Sequence, residues 1–431
     1  MLILQILNII NIVIGLLFVL CYSYQIFYII VALVKKPHEY PETEKRGRYA
    51  FMISARNEED VIGQLCDSIR AQNYPAELVD IMIVADNCTD STAAVARAHG
   101  AKVYERFNKE QVGKGYALTF LFDRVRQDKG TDYYDGYFIV DADNLLDENY
   151  VLEMNKAVMD GRRIVVCYRN SKNYGENWLA SGSSLWFLRA SKHLNNPRTL
   201  LGVSCEVNGT GFFVHRDVIE RQGGWIHHLL IEDIEFTVDN VIKGEIVAYC
   251  HRAMVYDEQP TSFSQSWWQR KRWTKGYLQV LKGYGWTLIK RFFTGKGFSN
   301  FDMLMAISPA MILTFIAFVV NLAALAITLF VALEQFPAAL LSIGVTMVGA
   351  YVFFFFVGLV SGITEWNNMH APKHRRVLSL LTFPAFMYTY IPIVAATLFS
   401  PKVEWKQIKH NAAKPEQAPK NHNEARIGKD G

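Results

Sequence analysis

The sequence predicts an α/β domain with a largely parallel sheet, lying between transmembrane helices near both ends of the chain. Hydrophobic residues make up 51% of the 431 residues, which is more than a single soluble core requires. The excess is concentrated in long apolar blocks near the two ends. Between them, short β-rich runs alternate with helical ones, which is typical of βα units around a parallel sheet.

Four apolar blocks are long enough to cross a bilayer. They carry almost no charge and cover 2–34, 303–333, 338–363 and 377–399. The first block lacks a basic leader and is longer than the apolar core of a secretory signal, so we expect it to be retained as an anchor. Basic residues follow it directly, and by the positive-inside tendency they place that flank and the α/β domain in the cytoplasm.

The charge balance argues against one class of partner. Lysine and arginine number 45 and aspartate and glutamate 41, which leaves a net charge of only +4, so we expect no nucleic acid partner. The six cysteines form no CxxC pair. Because most of them lie in the region assigned to the reducing cytoplasm, we expect free thiols and no zinc.

Five strands and four helices are predicted in the central region. The strands cover 49–54, 80–85, 101–105, 137–140 and 164–168, and the helices cover 58–71, 89–98, 114–126 and 148–159. In such sheets ligands bind at the carboxyl ends of the strands. The fold alone would equally suit a domain that only senses a nucleotide, so the side chains at those ends must decide the function.

The first two strand ends carry polar residues that suit a nucleotide. Ser54 ends the first strand, and Arg56 and Glu58 follow it at the start of a helix, where backbone N–H groups favour an anion or a ribose. Asp86 follows the second strand, and its carboxylate can accept hydrogen bonds from a nucleoside. The nearby Asp90 suits the capping of the next helix as well as it suits binding.

A lysine and a pair of acids extend this set. Lys114 stands between two glycines at the start of a helix and can reach phosphate oxygens, although alone it equally suits an ordinary surface lysine. Asp141 and Asp143 follow the strongly apolar strand 137–140. Hard oxygen ligands of this kind suit Mg²⁺ or Mn²⁺ that bridges to substrate phosphates. The alternative to a metal site is that the two acids form an ordinary solvated turn at the end of the strand.

Two further motifs precede the C-terminal apolar blocks. Glu232 and Asp233 stand among isoleucines at the start of a predicted helix, where partial burial would make a carboxylate a competent base, although acids at such positions are common. Gln269, Arg272 and Trp273 lie on adjacent helical turns, so a guanidinium for a diphosphate and an indole for a sugar face can share one site. The same stretch also suits an amphipathic helix at the membrane interface.

Taken in this order, the motifs resemble the processive inverting glycosyltransferases of family 2, the cellulose, hyaluronan and poly-N-acetylglucosamine synthase group. The resemblance spans nearly the whole chain and implies a Rossmann-like catalytic domain of the GT-A type. The implied regions are an anchor over 1–35, a GT-A domain over 36–262, interfacial helices over 263–300 and a transmembrane region over 301–400. The polar, low-complexity composition of the remaining tail, 401–431, predicts disorder.

The resemblance also implies roles for single residues. Asp233 is the implied general base, and Asp141 with Asp143 is the implied metal site. Together with the strand-end residues, the set predicted to contact UDP is Ser54, Arg56, Glu58, Asp86, Lys114, Asp141 and Arg272. The set predicted to contact the acceptor is Asn208, Gly209, Thr210, Glu232, Gln269 and Trp273. Ile231 replaces the threonine that usually precedes the Glu-Asp pair, which we expect to matter little because Asp233 is kept.

The predicted reaction is the inverting transfer of a hexose or N-acetylhexosamine from a UDP-sugar to a growing polysaccharide, with Mg²⁺ or Mn²⁺ as cofactor and with export across the cell membrane. The alternatives are a non-processive enzyme that glycosylates a lipid, and a non-catalytic nucleotide sensor. One span before the domain and three after it would place the tail outside the cell, whereas relatives usually end in the cytosol. Either Pro384 and Pro392 mark a re-entrant segment or one apolar block lies in the interface.

Overall fold

The computed structural model of the chain describes residues 2–294 and 297–400, and these form two compact units. The α/β unit contains Lys36–Asn173 and Asn195–Gln259. The helical unit contains the other described residues, including Tyr174–Leu194 from the middle of the sequence. The predicted polar tail, 401–431, lies outside the described residues.

Helices and strands alternate through the first half of the chain and helices alone follow from residue 263 onward. In chain order the elements are α1 (Leu2–Tyr22), α2 (Tyr24–Val34), β1 (Tyr49–Ala55), α3 (Ile62–Arg70), β2 (Val79–Asp86), α4 (Thr92–Ala98), β3 (Lys102–Arg106), α5 (Lys114–Lys129), β4 (Gly136–Asp141), β5 (Leu145–Leu146), α6 (Tyr150–Met159), β6 (Ile164–Ser171), α7 (Trp178–Arg189), α8 (Asn196–Leu200), β7 (Phe212–His215), α9 (Arg216–Gln222), α10 (Glu232–Lys243), β8 (Val247–Asp257), α11 (Phe263–Phe293), α12 (Phe298–Ile307), α13 (Pro309–Phe330), α14 (Phe336–Thr364), α15 (Lys373–Tyr388) and α16 (Tyr390–Leu398).

The predicted alternation of strands and helices is confirmed. Each of the five predicted strands and four predicted helices is present, with ends that differ by a few residues. Three further strands, β5, β7 and β8, were not predicted. Two of them are only two and four residues long, which is too short for an alternating pattern to be recognised in the sequence.

The described part of the α/β unit contains one eight-stranded sheet in the order β3-β2-β1-β4-β7-β6-β8-β5. The four strands β3, β2, β1 and β4 run parallel, and β7 runs antiparallel to its neighbours β4 and β6. The carboxyl ends of β1, β2 and β4 therefore meet at one edge. Ser54 lies opposite Asp141 in the pairing of β1 with β4, so two predicted sites become neighbours.

Aromatic side chains fill the core beneath this edge. Phe138 of β4 stacks on Phe51 of β1 with ring centroids 4.9 Å apart, and it meets Tyr49 edge-on at 5.2 Å. All three rings are fully buried. Pairs of this kind contribute about 0.5–1.5 kcal/mol beyond the burial of their area, so the strands that carry the candidate site rest on a rigid support.

The helical unit takes in a segment that the sequence analysis assigned to the GT-A domain. The hydroxyl groups of Tyr174 and Ser379 lie within hydrogen-bonding distance at 2.7 Å. A Cβ at Gly182 of α7 would lie 2.5 Å from Cγ of Phe386, so the close approach of α7 to α15 depends on glycine. These contacts explain why Tyr174–Leu194 groups with the C-terminal helices.

Four helical stretches among the described residues are long and apolar enough to cross a membrane. They are Gln5–Tyr22, Phe298–Phe330, Leu333–Thr364 and Lys373–Leu398. They correspond to the four predicted apolar blocks. The side of the membrane on which each end lies stays a prediction.

Three of these blocks are broken helices. The first block is interrupted at Ser23, between α1 and α2, the second at Ser308, between α12 and α13, and the last at Thr389, between α15 and α16. Pro392 has no N–H to donate to the carbonyl of Tyr388, which explains a break at this point. Arg270 of α11 donates from Nη1 to Oγ1 of Thr389 at 2.5 Å, and so it supplies a partner at the interruption.

Candidate active site

The two loops at the carboxyl ends of β1 and β2 are joined by hydrogen bonds. Asn57 and Asn87 have positive φ angles of 56° and 53°, a conformation that asparagine tolerates. Oδ1 of Asn57 accepts a hydrogen bond from the N–H of Thr89 at 2.8 Å, and Oγ1 of Thr92 accepts one from the N–H of Glu58 at 2.8 Å. The turn that carries Glu58 is therefore held in place.

Asp86 is paired with an arginine that the sequence analysis did not single out. Arg106, at the end of β3, donates from Nη1 to Oδ1 of Asp86 at 2.6 Å, and the two side chains are only 6% and 5% exposed. Nη2 of Arg106 donates to the carbonyl of Gln111 at 2.8 Å. The predicted nucleoside contact would thus be made by a carboxylate that is already fixed and neutralised.

The backbone of Asp141 is held by the loop 208–211, which precedes β7. This loop contains Asn208, Gly209 and Thr210, which are predicted to contact the acceptor, and it is called the predicted acceptor loop below. Its N–H donates to Oγ1 of Thr210 at 2.9 Å and to Oδ1 of Asn144 at 3.2 Å, and the hydroxyl of Thr210 donates to the same oxygen of Asn144. Nδ2 of Asn144 also donates to Oδ1 of Asp143 at 3.2 Å. Thr210, predicted as an acceptor contact, lies buried behind the acids and positions them.

Lys114 is the first residue of α5, as predicted, and acids surround it. Its Nζ donates to Oδ1 of Asp141 at 2.5 Å and to the carbonyl of Gly209 at 2.8 Å, and it lies 3.5 Å from Oε1 of Glu232. Burial alone would lower the pKa of Lys114, but the charges of Asp141, Glu232 and Asp233 outweigh it and raise the pKa above its ordinary value. Lys114 therefore stays protonated and links the predicted metal site to the predicted acceptor loop.

Asp233 lies in the first turn of α10, as the sequence predicted. Gly209 has a φ of +86°, and a Cβ at that position would lie 3.9 Å from Oδ2 of Asp233. The carboxylate therefore stands next to the predicted acceptor loop. The N-terminus of a helix also favours negative charge, which suits a base that must be ionised before it takes a proton.

Negative charge accumulates around Glu58. Burial raises the pKa of Glu58 to about 9, and the charges of Asp143, Asp141, Asp90 and Glu258 act in the same direction. Acids crowded in this way favour a bound cation. No group of three or more histidine, cysteine or acidic side chains in the described residues could hold a metal ion by itself. One or two carboxylates together with substrate phosphates and water would suit Mg²⁺ or Mn²⁺, and Asp141 and Asp143 stay the predicted ligands.

Two further residues of this region, Arg169 and Asp257, were not predicted. Arg169, near the end of β6, donates from Nε to Oδ2 of Asp257 at 2.7 Å, and it also donates from Nη1 to the carbonyl of Asn208. Burial raises the pKa of Asp257; Arg169 opposes this effect and Asp143 adds to it. An arginine of β6 thus holds the carbonyl of Asn208, the residue before Gly209.

One signal in the sequence would have found both missed arginines. Arg106 directly follows the predicted strand 101–105, and Arg169 directly follows the predicted strand 164–168. Because ligands bind at the carboxyl ends of parallel strands, a polar residue directly after a predicted strand is a candidate for the site. Both arginines meet this condition, as the residues after the first, second and fourth strands do.

Gln269, Arg272 and Trp273 lie together on α11, in the helical unit. The ring of Trp273 meets that of Phe187 on α7 edge-on, with the centroids 6.1 Å apart. Their predicted contacts with UDP and with the acceptor stay predictions.

The fold and the acidic strand ends together define a GT-A type domain attached to helices of membrane-spanning length. The family described as Glycosyltransferase like family 2 matches residues 46–276, which is more than half of the chain. The chain therefore belongs to this family. The prediction of a glycosyltransferase is confirmed at the level of the family, whereas processive synthesis stays a prediction.

Several curated relatives are similar to this chain. The beta-monoglucosyldiacylglycerol synthase of Nostoc sp. (strain PCC 7120) is 28% identical over 280 residues, which cover 63% of this chain and 57% of that protein. The protein of the same name from Synechocystis sp. (strain PCC 6803) is 25% identical over 387 residues, covering 84% of this chain and 75% of that protein. The poly-beta-1,6-N-acetyl-D-glucosamine synthase of Staphylococcus aureus is 24% identical and is covered over 55% of its length. The chain thus spans only part of each relative.

A solved structure supports the fold class. The mannosyltransferase PcManGT from Pyrobaculum calidifontis, solved with GDP-Man and Mn²⁺, has a TM-score of 0.57 and 18% sequence identity, covering 92% of this chain and 100% of that chain. At this level of identity the similarity concerns the fold alone. The predicted α/β fold of the GT-A type is confirmed.

Proposed function

We propose that this chain transfers a hexose or an N-acetylhexosamine from a UDP-sugar, with inversion, to a hydroxyl group presented at the cytoplasmic face of the cell membrane. One observation carries the proposal. Lys114 contacts both Asp141 and the carbonyl of Gly209, and Gly209 lies against Asp233. A predicted donor site and a predicted base are therefore only a few ångströms apart, as a single displacement requires.

The donor would bind across the carboxyl ends of β1, β2 and β4. Asp141 and Asp143 would hold Mg²⁺ or Mn²⁺, which when bound neutralises negative charge on the departing diphosphate. Lys114 supplies a fixed positive charge at the same place, and stabilisation of this type is usually among the larger contributions to catalysis. The family resemblance assigns the same role to Arg272.

Asp233 would act as the general base. The oxygen of the acceptor hydroxyl forms a bond to the anomeric carbon of the donor sugar while the bond from that carbon to the diphosphate breaks, and the electron pair of that bond leaves with UDP. The hydroxyl proton passes to the carboxylate of Asp233. Because attack and departure occur on opposite faces, the configuration at the anomeric carbon inverts.

Two kinds of acceptor are considered. The family resemblance of the motifs favours the end of a growing polysaccharide, with export of the product through the membrane region. A lipid acceptor is favoured by a different observation, since the relative that covers 84% of this chain is named as a beta-monoglucosyldiacylglycerol synthase. The lipid bilayer is a partner in both cases.

The test of transfer uses the full-length protein in detergent or vesicles. Each of several UDP-sugars is supplied with Mn²⁺ or Mg²⁺, and the release of UDP and the formation of product are measured. Asp233→Asn is expected to bind UDP as the wild type does and to lose about 10²–10⁴-fold in transfer rate. Asp132→Asn, at a carboxylate that is 90% exposed, is the matched control. Transfer by Asp233→Asn at the wild-type rate would overturn the assignment of the base.

The size and location of the product distinguish the two acceptors. A polysaccharide synthase gives a ladder or a long polymer, whereas a lipid glycosyltransferase gives one discrete glycolipid. In sealed vesicles with the α/β unit on the outside, export places polymer in the lumen. Polymer found only outside the vesicles would contradict the proposed export.

A further inference from the structure

Arg169 makes three hydrogen bonds that join two separate parts of the candidate site. Nε donates to Oδ2 of Asp257 at 2.7 Å, Nη2 donates to the same oxygen, and Nη1 donates to the backbone carbonyl of Asn208. Gln259 also donates to Oδ2 of Asp257, at 2.7 Å. The guanidinium thus links the end of β8 to the loop that lies beside Asp233.

An irregularity in the sheet brings these residues together. In the pairing of β6 with β8 the register shifts between Cys167 and Tyr168, whose partners are Cys250 and Met254. Beyond the shift the pairing is regular again, and Ser171 lies opposite Asp257. Residues two apart on a strand share a face, so Arg169 and Asp257 become diagonal neighbours on one face. Bulges often re-aim a side chain next to an active site.

The part of the loop that Arg169 holds lies directly beside the proposed base. Gly209 has a φ of +86° and no side chain, and a Cβ there would lie 3.5 Å from Nη1 of Arg169 and 3.9 Å from Oδ2 of Asp233. The same loop carries the carbonyl that accepts a hydrogen bond from Lys114. A shift of the Asn208 carbonyl would therefore change the space directly in front of the proposed base.

The pair formed by Arg169 and Asp257 is poorly suited to a purely stabilising role. The side chain of Asp257 is 4% exposed, and its second oxygen, Oδ1, is buried without a hydrogen-bond partner in the described residues. Buried ion pairs with unsatisfied atoms are often matched or exceeded in stability by apolar residues of similar size. A role in positioning explains why the charges lie here.

We propose that Arg169, held by Asp257, is a positioning residue for the acceptor: it fixes the Asn208–Gly209 loop so that the acceptor hydroxyl meets the carboxylate of Asp233. This inference rests on the proposed transfer function. Arg169 does not touch the reacting atoms in the proposed reaction. Its loss would therefore leave the binding of UDP nearly unchanged and would act on the use of the acceptor.

The test compares two reactions of the same full-length protein. Arg169→Ala is expected to keep its affinity for UDP and its slow release of UDP without acceptor within about threefold, while transfer to the acceptor falls about 100-fold, the loss typical of a 1 Å misplacement. Guanidinium ions added to the variant should restore part of the transfer. Arg163→Ala is the control, because Arg163 stands at the other end of β6 in an ion pair with Glu245 and its side chain is 48% exposed.

A second variant separates positioning from folding. In the double substitution of Arg169→Met with Asp257→Leu no buried charge is left unpaired, so the protein is expected to fold with at least the thermal stability of the wild type. If the pair positions the acceptor, this variant still lacks transfer. If the pair only stabilises the fold, transfer returns, and the inference is overturned.

Failure of the inference can be told apart from failure of the proposed function. A wild-type protein that releases no UDP from any UDP-sugar removes the function, and this inference with it. A wild-type protein that transfers sugar, together with an Arg169→Ala variant that transfers equally well or loses UDP binding in parallel, removes the inference alone.

Discussion

Glu58 provides a direct test of the metal site, because its carboxyl group is surrounded by the acids that would bind the cation. Burial and the charges of Asp143 and Asp141 raise the pKa of Glu58 from 4.5 to about 9. At pH 7 a carboxyl with that pKa is about 99% protonated. A divalent cation at Asp141 and Asp143 would oppose those charges and lower the pKa, so Glu58 would release its proton when the metal binds.

The size of the effect follows from linkage between protons and metal. At most one proton is expected to leave Glu58 for each cation bound at pH 7, and the logarithm of the metal affinity should rise with pH by at most one per pH unit below a pH of about 9. Glu58→Gln has no proton to release at this position. Its proton release should be close to zero and its metal affinity nearly independent of pH.

The same pKa shift affects the stability of the metal-free protein, with the opposite sign. Between pH 4.5 and about 9 the folded state holds a proton on Glu58 that the unfolded state has lost. The free energy of unfolding therefore falls as the pH rises through this window. Glu58→Gln should remove this part of the pH dependence.

Titration calorimetry measures the proton release. Mn²⁺ is added to the protein with UDP at pH 7 in two buffers that differ in ionisation enthalpy, and the difference in heat gives the number of protons released. Asp60→Asn, at an exposed acid on the following turn, serves as the control and should behave as the wild type does. Equal proton release by the wild type and by Glu58→Gln would refute the argument.

Two further predictions concern the framework of the site. Arg106→Met should leave Asp86 buried without its partner and lower the free energy of unfolding of the α/β unit by about 3–5 kcal/mol. The loss should be measured as a lower Tm, and the double substitution of Arg106→Met with Asp86→Leu should restore the Tm. A Tm of Arg106→Met equal to that of the wild type would contradict the buried pair. Gly211→Ala should prevent folding, because φ is +68° and the new Cβ would lie 2.5 Å from Sγ of Cys167. Gly209→Ala meets no such clash and should fold with a loss of about 1–2 kcal/mol, so measured expression and Tm should separate the two variants.

The parts of the site that could be predicted depend on short stretches of sequence. Asp141 and Asp143 follow an apolar run, and Asp233 begins an amphipathic helix, so their places on a strand end and in a first helical turn follow from local patterns. The convergence of strand ends at one edge follows from the parallel arrangement of the sheet. The placement of these residues therefore does not depend on contacts between residues distant in sequence.

The partners of these residues could not be derived in the same way. The pairing of Asp86 with Arg106 depends on β3 lying beside β2, and that of Arg169 with Asp257 depends on a register shift between two strands 76 residues or more apart in sequence. Both are set by tertiary packing, which overrides local pattern. The helix α7 was also not predicted, for a different reason. Its 12 residues are fewer than the roughly 20 apolar residues that mark a membrane span.

The grouping of Tyr174–Leu194 with the C-terminal helices has a practical consequence for biochemists who want a soluble enzyme. A truncated protein that ends before α11 would keep α7 but lack α15, against which Gly182 is packed. The uncovered apolar face would promote aggregation. A better candidate for crystallisation replaces 174–194 with a flexible glycine-serine bridge, which removes α7 from the remaining α/β polypeptide.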